Sequence, residues 1–228
     1  MTFISRTLSP LLPLTCAAIF AGCAKTSSES GETGSADNSK DDGWISLFDG
    51  KTLGKWAETD FSGKGAVNID ENGSLVLEMG IELSGVHWTG KGDYPKMNYE
   101  IALDAKRGGG SDFFCGLTFP YGESNATLIL GGWGGALVGI SSIDDFDASE
   151  NETGDVYVFE ENRWYAIRLR VTKEKLEAWI DDKQIADVEV GNRKISMRSG
   201  EIELSAPLGI ATYATTGVIR KIRYRNLE

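Results

Sequence analysis

Tyr165-Ala166-Ile167-Arg168-Leu169-Arg170-Val171-Thr172-Lys173-Glu174-Lys175-Leu176-Glu177-Ala178-Trp179-Ile180-Asp181 decides the fold class. Tyr165, Ile167, Leu169 and Val171 alternate with Trp164, Arg168, Arg170 and Thr172, and Leu176, Ala178 and Ile180 alternate with Glu177, Trp179 and Asp181. A period of two belongs to strands with one buried and one wet face. With Lys173-Glu174 as a two-residue loop, Thr172 pairs with Lys175, Val171 lies opposite Leu176, Arg170 opposite Glu177 and Arg168 opposite Trp179. Apolar and charged side chains then sort onto opposite faces. The polar face, with an ion pair and a cation–π contact, reads either as a solvated outer surface or as part of a ligand groove.

The same period extends outward. Met97, Tyr99, Ile101, Leu103 and Ala105 alternate with Asn98, Glu100, Ala102, Asp104 and Lys106. Further strands are expected at Ile45 to Phe48, Ser74 to Met79, Phe113 to Phe119, Ala126 to Leu130, Ala136 to Ser141, Val156 to Phe159, Gln184 to Val190, Leu208 to Tyr213 and Val218 to Arg225. About a dozen strands need as many turns, and 28 glycines beside five prolines supply the positive-φ positions. No stretch of ten residues reads as an amphipathic helix. The expectation is an all-β, antiparallel β-sandwich or jelly roll, with a closed barrel as the second choice.

Composition removes several functions. Lys and Arg number 23 against 34 Asp and Glu in 228 residues, a net charge of −11, which disfavours nucleic-acid binding by phosphate neutralisation. One histidine and three cysteines leave no disulfide framework and no Cys/His zinc site.

Residues 1–22 read as a signal peptide: one positive charge at Arg6, an apolar stretch from Thr7 to Phe20 too short to span a bilayer, then Ala21-Gly22-Cys23. This resembles a bacterial lipoprotein signal, which implies acylation of Cys23 as the mature N-terminus, anchoring by lipid without a transmembrane helix, and, with Ala24 next in line, export to the outer membrane of the cell envelope. Which face of that membrane it occupies is left open. Residues 24–43 are Ser, Thr, Gly, Asp, Glu, Asn and Lys apart from Ala24 and Ala36, with no residue large enough to seed a core, so 23–43 reads as an acylated cysteine plus a polar tether. Residues 44–228 are expected to form one β-sandwich domain.

Leu47-Phe48-Asp49-Gly50-Lys51-Thr52-Leu53 followed by Trp56, the Asn162-Arg163-Trp164-Tyr165 strand with Ala178-Trp179-Ile180-Asp181-Asp182-Lys183, and Leu208-Gly209-Ile210-Ala211 with a basic last strand resemble the 3-keto-disaccharide hydrolase-like family. The resemblance implies a concanavalin-like jelly roll of the lectin/glucanase type and action on, or binding of, sugars outside the cytoplasm. The centre of the chain departs from the family pattern at Gly110 to Gly116 and at Thr127 to Gly135.

The activity that the resemblance implies is cleavage of 3-keto-glycosides or related disaccharides. A keto group at C3 acidifies the C2 proton, so a positioned base removes it and the C1 substituent leaves. His87, the one side chain that titrates near neutrality without help, is a candidate base or metal ligand. Asp112, on a Gly-rich loop behind Ser111, is a second catalytic candidate. Trp133, within Gly131-Gly132-Trp133-Gly134-Gly135, is a candidate platform for stacking on a sugar face, with Trp88 and Ser111 as further substrate-binding candidates. Asp144-Asp145-Phe146-Asp147, Glu150 and Glu152 offer oxygen ligands for a divalent metal such as calcium but lack EF-hand spacing, and no metal is assigned. Cys115, among apolar residues, reads as a buried thiol. No Glu-x-Asp-x-x-Glu strand supports a retaining glucanase mechanism. The alternative function is a non-catalytic carbohydrate-binding lipoprotein with the same fold.

Overall fold

The structure is a computed structural model that describes residues 43–228. The signal segment, Cys23 and the residues up to Asp42 lie outside the described residues.

The period-two stretches form two antiparallel sheets packed face to face. In chain order the strands are β1 (Ile45–Ser46), β2 (Trp56–Glu58), β3 (Val67–Ile69), β4 (Leu75–Leu77), β5 (Leu83–Trp88), β6 (Tyr99–Gly110), β7 (Cys115–Tyr121), β8 (Ser124–Gly131), β9 (Leu137–Ser141), β10 (Asp155–Val156), β11 (Tyr165–Val171), β12 (Lys175–Ile180), β13 (Lys183–Glu189), β14 (Gly209–Tyr213) and β15 (Thr215–Asn226). The back sheet runs β13-β12-β11-β6-β15-β4-β3, with β1 also paired to β15, and the front sheet runs β10-β9-β8-β7-β14-β5-β2. The sandwich expected from alternation is the fold observed.

The β11–β12 register matches the sequence reading: Arg168 faces Trp179, Arg170 faces Glu177 and Val171 faces Leu176. Three strands, β2, β3 and β5, were not expected from the sequence. β2 and β3 have three residues each, too few for alternation to stand out. In β5 the order Leu-Ser-Gly-Val-His-Trp puts apolar residues on both parities.

The core lies between the sheets. Tyr99, Ile101, Leu103 and Ala105 of β6 point inward, as do Leu117 and Phe119 of β7 and Leu128 and Leu130 of β8, all nearly or fully buried. At about 25 cal/mol per Å² of apolar surface, each Leu, Ile or Phe among them contributes roughly 1.5–3 kcal/mol. Phe114, Tyr157, Phe159 and Tyr165 pack mainly edge to face at centroid distances of 4.7–6.4 Å. Cys115 belongs to this core, where burial pushes its thiol pKa up to about 12. The outer face of the back sheet holds the expected polar residues. There Arg168 and Arg170 reach the buried Glu100 at 3.0 and 2.8 Å, and Arg168 also lies 3.6 Å from the Trp179 ring centroid.

Candidate functional site

Strand parity fixes what the front sheet shows to the outside. Thr118, Thr127 and Ser141 are register neighbours across β7, β8 and β9, as are Gly116, Ile129 and Gly139 across the same strands. These outward side chains are short or absent except for Ile129, so the sheet surface is low there and becomes a floor. A Cβ at Gly116 would stand 3.1 Å from the Phe113 ring, so glycine is what lets Phe113 lie against this floor.

Walls rise around it and enclose a cavity of about 410 Å³, within the range of small-molecule sites. Glu82 and Leu83 enter from the start of β5, Asp112 and Phe113 precede β7, Trp133 stands on the β8–β9 connection, Tyr213 ends β14, and Arg198 to Ile202 cross over the top. Phe113, Leu83 and Ile129 with Ile202 form an apolar patch separate from the main core.

The loop carrying Trp133 is held from two sides. Trp133 sits at φ 47°, ψ 59°, a left-handed conformation costly for a residue with a Cβ, and its ring is about half exposed at 49%. Arg107, the inward-facing residue near the end of β6, donates from Nη2 to the carbonyls of Gly135 at 2.8 Å, Asp112 at 3.3 Å and Gly131 at 3.4 Å. Burial lowers the Arg107 pKa, and the nearby Asp112 charge partly offsets this. The guanidinium also lies 5.2 Å from the Phe114 ring. From the other side Asp112 accepts from the Phe113 amide at 2.8 Å and from the Gly134 amide at 3.2 Å. Asp112 is thus brought into the cavity beside Trp133, but both its oxygens already bind backbone amides, which makes it a loop staple before it is a base.

Two other carboxylates line the cavity. Glu201 accepts from the Ser62 amide and hydroxyl, bonds that hold its pKa below the usual carboxylate value. Glu82 is exposed, and its carboxylate has no hydrogen bond or ion pair among the described residues. It was missed in the sequence because it precedes a strand that the alternation did not reveal. Arg198 lies 5.3 Å from the Trp133 ring and pairs with Asp147.

The other sequence candidates fall elsewhere. His87 shares the outward parity of Leu83 but does not line the cavity. It is four residues along β5 from Leu83, about 13 Å by strand rise, and its Nδ1 is 3.2 Å from the Thr59 hydroxyl. Its register neighbour Gly209 is covered by Ser205, whose carbonyl would stand 2.4 Å from a Cβ there. Trp88 has the opposite parity: it is buried in the core, edge to face with Trp56 at 5.1 Å, which removes it from any substrate-binding surface. Ser111 is exposed beside Asp112 without lining the cavity.

The acidic segment is cross-linked by cations. Asp144 and Glu152 pair with Arg193, Asp145 with Lys194 and Asp147 with Arg198. Among the described residues no three metal-ligating side chains cluster. With its carboxylates engaged by Arg and Lys, the segment does not fit a calcium cage, and no step is derived through a metal.

Solved structures share this architecture. A proposed glycosyl hydrolase from Parabacteroides distasonis ATCC 8503 superposes with a TM-score of 0.50 at 12% identity, over 82% of this chain and 94% of that one. The Crh5 transglycosylase superposes at 0.53 with 11% identity, over 81% and 84%. A sialidase superposes at 0.52 with 10% identity, over 81% of this chain and 18% of the sialidase. At such identities these likenesses establish the jelly-roll fold. No curated protein matches the sequence. The family model for the 3-keto-alpha-glucoside-1,2-lyase-like domain matches residues 43–228, the whole of the described sandwich, and the chain belongs to that family.

Proposed function

We propose that this is a cell-envelope protein, lipid-anchored at Cys23, that cleaves 3-keto-glycosides in the front-sheet cavity by removing the proton next to the keto group. The observation that carries the reading is the unpartnered Glu82 carboxylate in a cavity flanked by the exposed rings of Trp133 and Tyr213. The aromatic rings stack on sugar faces and fix the substrate's depth. Glu82 takes the C2 proton, the C2 electron pair forms the C1–C2 double bond, and the C1–O bond breaks with its electrons going to the leaving oxygen. Negative charge that develops on the keto oxygen during proton removal is met by Arg198, the cation that lines the cavity. Water then adds to the unsaturated sugar. Glu82 replaces His87 in the role of base because it lines the cavity and His87 does not.

Incubation of the purified protein with 3-keto-glucosides, with and without a divalent metal, tests this. Release of the C1 substituent is expected, with Glu82→Gln lowering turnover about 10²- to 10⁴-fold while ligand binding persists, the usual contribution of a general base. Binding without turnover in the native protein rejects the lyase reading. It favours the second one, a non-catalytic carbohydrate-binding lipoprotein, for which the engagement of both Asp112 oxygens by backbone amides is the supporting observation.

A further inference from the structure

The side of the sandwich away from the cavity has a charge pattern that the proposed chemistry does not use. At the corner where β1 pairs with β15, Lys51, Arg220, Lys221 and Arg223 line a shallow cleft of about 710 Å³ with Trp44. Carboxylates in and beside this cleft are outnumbered. Asp104 is shared by Arg220 at 3.0 Å and Lys221 at 2.9 Å. Glu100 is shared by Arg168, Arg170 and Arg225. Asp49, the acid of the cleft, is occupied by the amides of Lys51 and Thr52 at 2.8 Å each. Lys51 and Arg223 are exposed and have no ion pair among the described residues. This surplus of cations stands in a chain whose net charge is −11, so the acidic excess lies elsewhere.

The chemistry of the face selects its partner. The Trp44 ring lies 4.9 Å from the Arg223 guanidinium and 4.8 Å from that of Arg225, and Arg220 lies 4.0 Å from the Trp164 ring. The indoles already carry cations, so what the corner presents outward is positive charge. The described chain begins beside this corner, at Gly43 and Trp44, and in the sequence the polar residues 24–42 and Cys23 come before them. We propose that the β1–β15 corner docks on a lipid surface bearing anionic phosphate headgroups. Docking there turns the cavity on the front sheet away from the bilayer. Position near a membrane rests on the lipid-anchor reading above, whereas the affinity of the corner for anionic lipid does not require acylation and is tested without it.

Residues 43–228 contain both sheets and the entire described core, and so serve as the test protein. Binding to phosphatidylcholine vesicles with and without phosphatidylglycerol is measured by co-sedimentation. Binding is expected only with phosphatidylglycerol and is lost in high salt. The double substitution Lys51→Gln with Arg223→Gln touches neither ion pairs nor core and is expected to weaken binding about tenfold or more, given the contribution of each basic residue near an anionic surface. Lys175→Gln, on β12, leaves it unchanged. Equal binding to both vesicle types, an unchanged affinity in the double variant, or binding to a sulfated polysaccharide with none to vesicles overturns the proposal. Failure of sugar cleavage leaves it standing, because the two faces are assayed separately.

Discussion

The guanidinium of Arg107 donates to the carbonyl of Gly135 at 2.8 Å, so a strand of the back sheet fixes the loop that raises Trp133 over the front sheet. The contact couples the scaffold to the recognition surface and uses a buried cation with no carboxylate in direct contact. Among the described residues its direct hydrogen-bond partners are all main-chain oxygens.

Arg107→Met is therefore expected to cost stability and affinity together. Three carbonyls lose a donor at once, and leaving such groups unpaired in the interior costs about 1–3 kcal/mol each where water cannot enter. Urea unfolding reads the first effect and sugar titration the second. Arg107→Lys keeps the charge but loses the planar fork, and should recover part of the stability and little of the affinity. A variant with native affinity rules out the coupling.

Trp133→Ala separates recognition from folding. Its ring is half exposed, so the melting temperature should hardly move, while sugar affinity falls by about 1–3 kcal/mol, by analogy with aromatic stacking on planar ligands. Calorimetric titration of native and variant protein measures it. Trp88→Phe behaves oppositely, lowering stability and sparing affinity, because that ring packs on Trp56 inside the sandwich.

Glu100 gives a pH dependence with a definite sign. Burial alone raises its pKa, but hydrogen bonds from Arg225 and Arg170 outweigh burial and leave the native value below the ordinary 4.5. A depressed native pKa stabilises the fold above the unfolded value, and the stabilisation is lost as pH falls through the native value. Denaturant midpoints should hence hold from neutrality to about pH 5 and decline on further acidification. Glu100→Gln should flatten its share of that decline and cost about 3–5 kcal/mol at neutral pH by leaving three guanidiniums around a neutral amide.

Cys115 should react with thiol reagents only on unfolding, since burial holds its pKa near 12 and leaves almost no thiolate at neutral pH. In residues 43–228, where it is the only cysteine, the labelling rate in denaturant should follow global unfolding. Fast labelling in native buffer would contradict the packing described here.

Most of the sandwich was legible in the sequence because alternation and burial share one cause in a half-buried strand. The β11–β12 hairpin shows it: a two-residue loop and opposed charges fixed every pair. Reading stopped where side chains ceased to report the face they occupy. In β5, Val86 and Trp88 turn inward while Gly85 and His87 turn outward, and the sequence offers an apolar residue at either parity. His87 and Trp88 are both site candidates from the sequence, although the strand sends them to opposite sides. Arg107 was hidden differently. A cation at an inward position contradicts the pattern, and only the carbonyls of a loop 24–28 residues further along explain it. Glu82 became visible only when non-local strand pairing set it beside Tyr213 and Trp133.

The position of β15 also governs when the molecule can come into being. This last strand lies between β6 and β4 and receives β1 at its far end, so the centre of the back sheet is supplied by the final dozen residues. Until they arrive, β6 has one edge open, β1 has no partner and the β3–β4 pair is not joined to the sheet. Such long-range closure is slow to form, and it is the step that completes the back sheet. A chain cut before β15 should therefore leave the back sheet in two parts, which limited proteolysis of the shortened protein would report.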